Sequence, residues 1–155
     1  MMERMHSGVP GLDEIISGGF PIPSSVLVSG EPGTGKTTLC VQFLFNGAKM
    51  GDRGLYITAI SEPYWVVQRY LSGFRFYNQE FVDKDIVIFH DIGKVLKERP
   101  RETLDHIIEM IERYEPRRIV IDPITPLKTL MDRFDETREF LHDMLAYLKT
   151  LKCIT

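Results

Sequence analysis

Residues 30–37 read Gly30-Glu31-Pro32-Gly33-Thr34-Gly35-Lys36-Thr37, a complete G-x-x-x-x-G-K-[ST] phosphate-binding loop, or Walker A motif. An apolar run at 26–28 precedes the motif and a helical pattern follows it, which is the context that this loop requires. Glycines permit the unusual backbone angles of such a loop and let its N–H groups approach phosphates closely. The motif therefore predicts a site for ATP or GTP between a strand and the start of a helix.

Three side chains of this segment have expected roles. Lys36 supplies a positive charge to the β- and γ-phosphates, and the hydroxyl of Thr37 is placed to ligate Mg²⁺. Thr38 continues the helix whose positive N-terminus faces the phosphates. We therefore expect residues 30–38 to bind the nucleotide, with Lys36 also stabilising the charge that develops during catalysis.

Composition indicates a globular protein with one core. The 155 residues are 43% hydrophobic and 26% charged, which suits one buried core rather than two. A net charge of −3 argues against the generally basic surface that nucleic-acid binders often show. The two cysteines form no secreted-type framework, and no apolar run approaches the ~20 residues of a membrane span. We predict one domain over residues 1–155, without a membrane segment and located in the cytoplasm.

Strand-like and helix-like segments alternate along the chain. Apolar runs predict strands at 26–30, 55–60, 86–90 and 119–121, and amphipathic spacing predicts helices at 36–49, 64–74, 104–111 and 136–151. Continuous apolar strands between helices indicate a buried, parallel sheet with helices on both faces. Ligands of such sheets bind at the carboxyl ends of the strands, where the loop, Glu62, Asp91 and Asp122 fall.

A second motif, Arg118-Ile119-Val120-Ile121-Asp122, has the form of a Walker B strand. A buried strand of this kind fixes its terminal carboxylate near the Mg²⁺ that Thr37 and the phosphates hold. Because any buried strand can end in an aspartate that caps a turn, the assignment depends on the Walker A motif upstream. With both motifs present in this order, Asp122 is the second predicted metal-site residue.

The segment before the loop is more discriminating than either motif. It reads His6-Ser7-Gly8-Val9-Pro10-Gly11-Leu12-Asp13-Glu14-Ile15-Ile16-Ser17-Gly18-Gly19-Phe20-Pro21. This lead-in resembles the opening of the KaiC/RecA-type ATPases, a family that includes circadian clock ATPases, RadA-like recombinases and the archaellum accessory ATPase. The resemblance extends over essentially the whole chain.

The resemblance implies a three-layer α/β/α, RecA-like fold around a mostly parallel central sheet. It also implies that Lys36, Thr37 and Asp122 bind Mg-ATP. A homo-oligomer, such as a hexamer or a filament with nucleotide at its subunit interfaces, is the implied assembly.

The chain departs from the family pattern at the end of the second predicted strand. Hydrolysing relatives carry one or two glutamates there, which orient the attacking water. This chain has Ile60 and Ser61 at the aligned positions, and Glu62 follows one or two positions later. A shift of one residue in an extended segment reverses the side-chain direction, whereas a bulge before Pro63 would return Glu62 to the site. Glu62 is thus the candidate catalytic carboxylate, and a solvated loop carboxylate is the alternative.

A second departure concerns the last core strand. In the family, the strand after the last helix inserts between the phosphate-loop strand and the Walker B strand. Here only Cys153-Ile154-Thr155 represent it. We therefore expect this strand to be missing or incomplete, so that the 155 residues form a fragment of a longer domain or a core completed by another chain.

Three functions remain open from the sequence. The first is a KaiC-like ATPase that hydrolyses ATP slowly with Mg²⁺. The second is a regulator or scaffold that binds ATP without turnover, a role that Ile60 and Ser61 favour and that would engage a protein partner. The third is a RadA-like repair protein that binds DNA, which the acidic net charge disfavours.

Overall fold

The computed structural model describes residues 3–59, 64–132 and 137–155. At the N-terminus, β1 (Arg4–Met5) pairs antiparallel with β2 (Phe20–Pro21), and the short helix α1 (Leu12–Ile15) lies between them in sequence. The remaining elements are α2 (Lys36–Lys49), β3 (Gly54–Thr58), α3 (Tyr64–Leu71), α4 (Gln79–Asp83), β4 (Val87–Asp91), α5 (Gly93–Glu98), a 3₁₀ turn (Pro100–Glu102), α6 (Thr103–Tyr114), β5 (Arg118–Ile121), α7 (Thr125–Asp132) and α8 (Thr137–Thr150).

The main sheet is parallel and β3 is its central strand. Tyr56 of β3 lies opposite Phe89 of β4 on one side and opposite Val120 of β5 on the other. Beyond β5, Ile154 forms parallel bridges with Arg118 and with Ser24. The segment before the phosphate loop therefore lies next to residue 154, which in turn lies next to β5, and this short pairing occupies the place where the sequence predicted an incomplete strand.

Successive side chains of each strand point to opposite faces of the sheet, and each face packs against a layer of helices. In β3, Tyr56 points to the α2 side of the sheet, whereas Leu55 and Ile57 point to the side of α6 and α8. On the α2 side, Leu44 and Phe45 complete one apolar cluster. The other cluster joins the strands to α6 and α8 through Ile107, Met110, Ile111, Phe140, Met144 and Leu148. The predicted three-layer α/β/α arrangement with a parallel sheet is confirmed.

One predicted strand differs from the structure. The apolar run at 26–30 is not a β-strand, although the N–H of Val26 donates to the carbonyl of Thr155 at 2.7 Å. Leu27 is 79% exposed, and Val28 is 38% exposed. A strand needs a neighbouring backbone to pair with, and among the described residues the sheet pairing of this run stops at Val26. The prediction of a strand at 26–30 is therefore wrong, because an apolar run forms a strand only where a neighbouring backbone pairs with it.

Arg118 connects the N-terminal segment to the sheet. Its side chain is 1% exposed, and its guanidinium donates to the Asp52 carboxylate at 2.8 Å. It also donates to the carbonyls of His6, Ser7 and Phe43 at 2.8–3.0 Å. Because these carbonyls come from the lead-in and from α2, one buried cation fixes the lead-in against the helix that follows the phosphate loop.

Within the described part of the chain, no helix has the length and apolar character needed to cross a bilayer.

Candidate functional site

The first part of the motif, residues 30–35, forms a tight turn, and α2 begins directly after it at Lys36. Gly33 and Gly35 have φ angles of 80° and 89°, a region that L-residues with a side chain rarely adopt. Gly35 is also the N-cap of α2. The 14-residue helix therefore begins directly at the loop and directs its positive end and its first N–H groups toward it.

Gly33 and Gly35 are required for their backbone angles rather than for contacts with the protein. A Cβ built on either glycine would have no atom within 4 Å. At Gly30 the situation differs, because a Cβ would lie 2.8 Å from the Thr34 hydroxyl. That hydroxyl donates to the carbonyl of Glu31 at 2.8 Å and so helps to close the turn around Pro32.

Lys36 is held over the loop by two backbone carbonyls. Its ammonium donates to the carbonyl of Gly30 at 2.8 Å and to that of Glu31 at 2.9 Å. An ammonium has three N–H donors, so one donor remains after these two bonds. The lysine charge is thus fixed at the position where the loop and the helix N-terminus converge.

Thr37 and Asp122 meet although they are far apart in sequence. The Thr37 hydroxyl donates to Oδ2 of Asp122 at 2.6 Å across 85 residues of sequence separation. Strand parity explains the meeting, because Asp122 follows β5 by one residue and lies on the same face as Val120, toward α2. The two predicted metal-site residues are therefore adjacent.

A third side chain, Tyr56, completes this contact. Its phenol donates to the same Oδ2 of Asp122 at 2.8 Å. Burial and the Asp122 carboxylate raise the pKa of Tyr56 far above its usual value, so the phenol keeps its proton and acts as a donor. Burial, together with the same carboxylate, also raises the pKa of the Cys40 thiol to about 11.

Sequence reasoning did not identify Tyr56, although a signal was present. A buried tyrosine needs a partner for its hydroxyl, and Tyr56 interrupts an otherwise apolar strand. In a parallel register, its neighbour on β5 is Val120, and Asp122 stands two residues further on the same face. The sequence predicted a parallel sheet but showed neither that these two strands are neighbours nor what their register is.

The other predicted residues have different positions. Thr38 lies beside α3, where its hydroxyl is 3.4 Å from that of Tyr70. The carboxylate of Asp91 accepts from the backbone N–H of Gly93 at 2.7 Å, so it caps its own turn. The candidate catalytic residue Glu62 lies outside the described residues.

An apolar cavity of about 510 Å³ adjoins the site. Its walls come from the segment before the loop, from β5 and from α8, and Lys36 and Asp122 stand on its wall. The lining includes Val26, Leu39, Cys40, Val120, Leu141 and Leu145.

A phosphate-binding loop between a parallel sheet and a helix, with a strand-end aspartate beside it, is the architecture of a RecA-like P-loop protein. A family model for the KaiC ATPase matches residues 5–155. The chain belongs to the KaiC ATPase family.

Relatives in sequence and in structure agree with this assignment. A UPF0273 protein of Thermotoga maritima is 32% identical over 151 residues, which cover 82% of this chain and 58% of the relative. The circadian clock oscillator protein KaiC of Rippkaea orientalis is also 32% identical, over 97% of this chain and 30% of the relative. The chain thus spans little more than half of that UPF0273 relative.

Among solved structures, a KaiC-like protein from the hyperthermophilic archaeon Pyrococcus horikoshii matches with a TM-score of 0.85 at 28% identity. The match covers 100% of this chain and 69% of that one. A likeness over the whole chain confirms the RecA-type fold that the lead-in and the two motifs imply.

Proposed function

We propose that this chain is an ATP-binding unit that holds ATP and Mg²⁺ at residues 30–38 and Asp122 and hydrolyses ATP slowly. The observation that carries the proposal is the 2.6 Å hydrogen bond between Thr37 and Asp122. It joins the helix after the loop to the end of β5, as a P-loop site requires. We also propose that residues 1–155 belong to a single domain built around this site.

The donor set suits Mg²⁺. This cation prefers oxygen ligands and is usually bound by one or two carboxylates together with substrate phosphates. Thr37 and Asp122 offer a hydroxyl and a carboxylate, both oxygen donors. Over the described ranges, no group of three or more His, Cys, Asp or Glu side chains forms a metal-binding cluster. A site completed by phosphate oxygens therefore fits better than a cage made of protein alone.

The residues of the chain act by positioning and by charge. Bound Mg²⁺ would neutralise charge on the phosphate oxygens. Lys36 would direct its remaining N–H at the γ-phosphate, and the loop N–H groups and the start of α2 would hold the other phosphates. Glu62 would orient the attacking water and accept its proton.

The test is single-turnover hydrolysis of radiolabelled ATP beside equilibrium binding, with wild type, Lys36→Ala and Glu62→Gln. Removing the Lys36 charge should weaken ATP binding about 10- to 100-fold, since hydrogen bonds to charged groups contribute ~1.5–3 kcal/mol. Lys49, an exposed lysine at the other end of α2, gives the matched control, and Lys49→Ala should bind ATP like wild type.

Glu62→Gln should bind ATP normally and lose turnover, and Glu98→Gln is its control.

Each outcome separates the possibilities. Binding without turnover in the wild type would contradict hydrolysis and leave an ATP-binding regulator or scaffold. Equal binding by wild type and Lys36→Ala would contradict the site itself. Salt-dependent DNA binding by the wild type would favour the recombination function.

We further propose that the chain forms a homo-oligomer in the cytoplasm, with α3 near the subunit contact. Trp65 and Tyr70 of α3 are 64% and 60% exposed, and Tyr70 contacts Thr38 next to the loop. Exposed aromatic side chains close to a nucleotide site are typical of contact surfaces. Light scattering after size exclusion should show a larger molecular mass with Mg-ATP than without it. The increase in mass should be smaller in a Trp65→Ser variant.

A further inference from the structure

We propose that Tyr56 is a positioning residue for the metal side of this site. Its hydroxyl fixes the rotation of the Asp122 carboxylate so that Oδ2 faces the Thr37 hydroxyl. The inference rests on the proposed function, because it concerns how the chain prepares Thr37 and Asp122 for Mg²⁺. It adds a residue that neither nucleotide-binding motif contains.

The hydroxyl of Tyr56 has a defined position because the ring is held in the core. The side chain is 6% exposed, and its ring packs against Phe89 with the ring centroids 5.2 Å apart. Both aromatic residues lie on neighbouring strands in register and point to the α2 side. Because the ring is held, the position of the hydroxyl oxygen is fixed as well, and the hydroxyl donates to the Oδ2 of Asp122 at 2.8 Å.

Two hydroxyls donate to one carboxylate oxygen. Thr37 reaches the Oδ2 of Asp122 from α2, and Tyr56 reaches it from β3. A hydroxyl that donates its proton keeps two lone pairs for other partners. With its proton directed to Asp122, Thr37 therefore turns its lone pairs toward the loop, where a cation between loop and phosphates would lie.

Without the Tyr56 hydroxyl, the carboxylate would lose a fixed donor. Asp122 could then rotate about its Cβ–Cγ bond, and the Thr37 hydroxyl would lose a partner of fixed orientation. Partners that orient metal ligands in this way typically change metal affinity 10- to 100-fold when they are removed. Tyr56 acts only through Asp122, so the change should appear in the dependence on the metal and not in nucleotide binding as such.

The experiment compares Tyr56→Phe with wild type in Mg²⁺ titrations of the binding of a fluorescent ATP analogue. The substitution removes one oxygen and keeps the ring packing. The Mg²⁺ concentration for half-maximal enhancement should rise roughly tenfold, while affinity measured in EDTA stays at the wild-type value. Mn²⁺ binding followed by electron paramagnetic resonance, with the nucleotide present, should weaken by a similar factor.

Tyr77→Phe is the matched control. Tyr77 also donates from its phenol to a side chain, Gln79, but it lies outside the site. This variant should titrate with Mg²⁺ like wild type. In an Asp122→Asn background, Tyr56→Phe should have little further effect, because its action passes through the Asp122 carboxylate.

Three results would overturn the inference. One is that nucleotide binding depends on Mg²⁺ in the wild type and that Tyr56→Phe needs the same Mg²⁺ concentration for half-maximal enhancement. The proposed function would then stand without the role of Tyr56. Another is an equal loss of affinity with Mg²⁺ and in EDTA, which would indicate general damage to the site. A wild type whose nucleotide binding is absent or independent of Mg²⁺ would overturn both the inference and the metal part of the proposed function.

Discussion

At the level of single residues, the buried Arg118 is held by contacts from several parts of the chain. Its guanidinium bonds to Asp52 and to three carbonyls, and it lies over the ring of Phe43 with its Cζ 4.6 Å from the ring centroid. Burial lowers the pKa of Arg118, and the Asp52 carboxylate opposes that effect. A buried cation with this many partners stays charged, so its loss or displacement leaves buried polar groups without partners.

The neighbouring Gly47 gives a direct test of this packing. A Cβ at Gly47 would lie 2.2 Å from Nε of Arg118. Alanine in a helix is favoured over glycine by ~1 kcal/mol, but a side chain that displaces a buried ion pair costs ~3–5 kcal/mol. We therefore expect Gly47→Ala to lower the free energy of unfolding by about 2–4 kcal/mol, measured by urea denaturation.

The control for this substitution is Gly73→Ala. The nearest atom to a Cβ there is the Tyr70 carbonyl oxygen at 3.9 Å, so stability should change by less than ~0.5 kcal/mol. In an Arg118→Ala background, Gly47→Ala should cost much less, because its clash partner is gone. An equal cost in both backgrounds would show that the clash is not the cause.

At the scale of elements, two histidines join β4 to α6. Nε2 of His90 lies 2.9 Å from Nε2 of His106, so one ring donates and the other must be neutral at that nitrogen. Burial lowers the pKa of His90, and the charges of His106 and Arg113 lower it further, while Asp91 and Glu109 oppose the shift. Sequence reasoning had no signal for this pair, because one histidine ends a strand and the other lies on a helix 16 residues later.

This histidine pair makes stability depend on pH. The unfolded chain protonates His90 below its ordinary pKa of about 6.5, whereas the folded chain protonates it only at lower pH. The unfolded state then binds more protons, so stability falls as the pH drops below about 6.5. We expect the urea concentration at the unfolding midpoint to decrease as the pH is lowered from 7.5 to 5.5. The decrease should be smaller in His90→Asn than in wild type.

The exposed His142 of α8 offers a control for the pH experiment. Its side chain is 78% exposed and lies beside Asp143 rather than against another element. His142→Asn should therefore show the same pH dependence as wild type. A His90→Asn variant with the full wild-type slope would show that other groups account for it.

For the molecule as a whole, the surface beside the cavity carries exposed apolar residues. Val26, Leu27 and Val28 form an exposed apolar run whose first residue alone shows sheet pairing among the described residues. Exposed apolar backbone next to a sheet is prone to pair with another chain. The run also forms one wall of the 510 Å³ cavity.

We expect this run to promote self-association that does not depend on nucleotide. Leu27→Lys should reduce the associated fraction several-fold at tens of micromolar protein, because an exposed charge opposes edge pairing. Analytical ultracentrifugation without ATP measures the effect. Ile15→Lys is the control, because Ile15 is 81% exposed but belongs to α1 and not to the run, and it should leave association unchanged. Equal effects of both lysines would indicate a general effect of charge.

The class of the fold and the two nucleotide motifs could be predicted from the sequence alone. These features are local patterns: the spacing of the glycines, the Lys36–Thr37 pair and an apolar strand that ends in Asp122. Local patterns can be recognised without the structure, because their residues lie close together in the sequence. The same holds for the helix at 36–49, whose bounds agree with α2. The lead-in to the loop could be recognised in the same way, because its glycines and Asp13 interact over a few residues of sequence.

Only the tertiary structure decided what depends on register and on neighbours. It brought Tyr56 to Asp122, paired His90 with His106 and buried Arg118, the first residue of the Walker B motif. It also left the apolar run at 26–30 without a β-strand. A hydrogen bond or a packing contact needs two groups: for the three side chains the second group comes from a distant part of the chain, and the run at 26–30 has a backbone partner only at Val26 among the described residues.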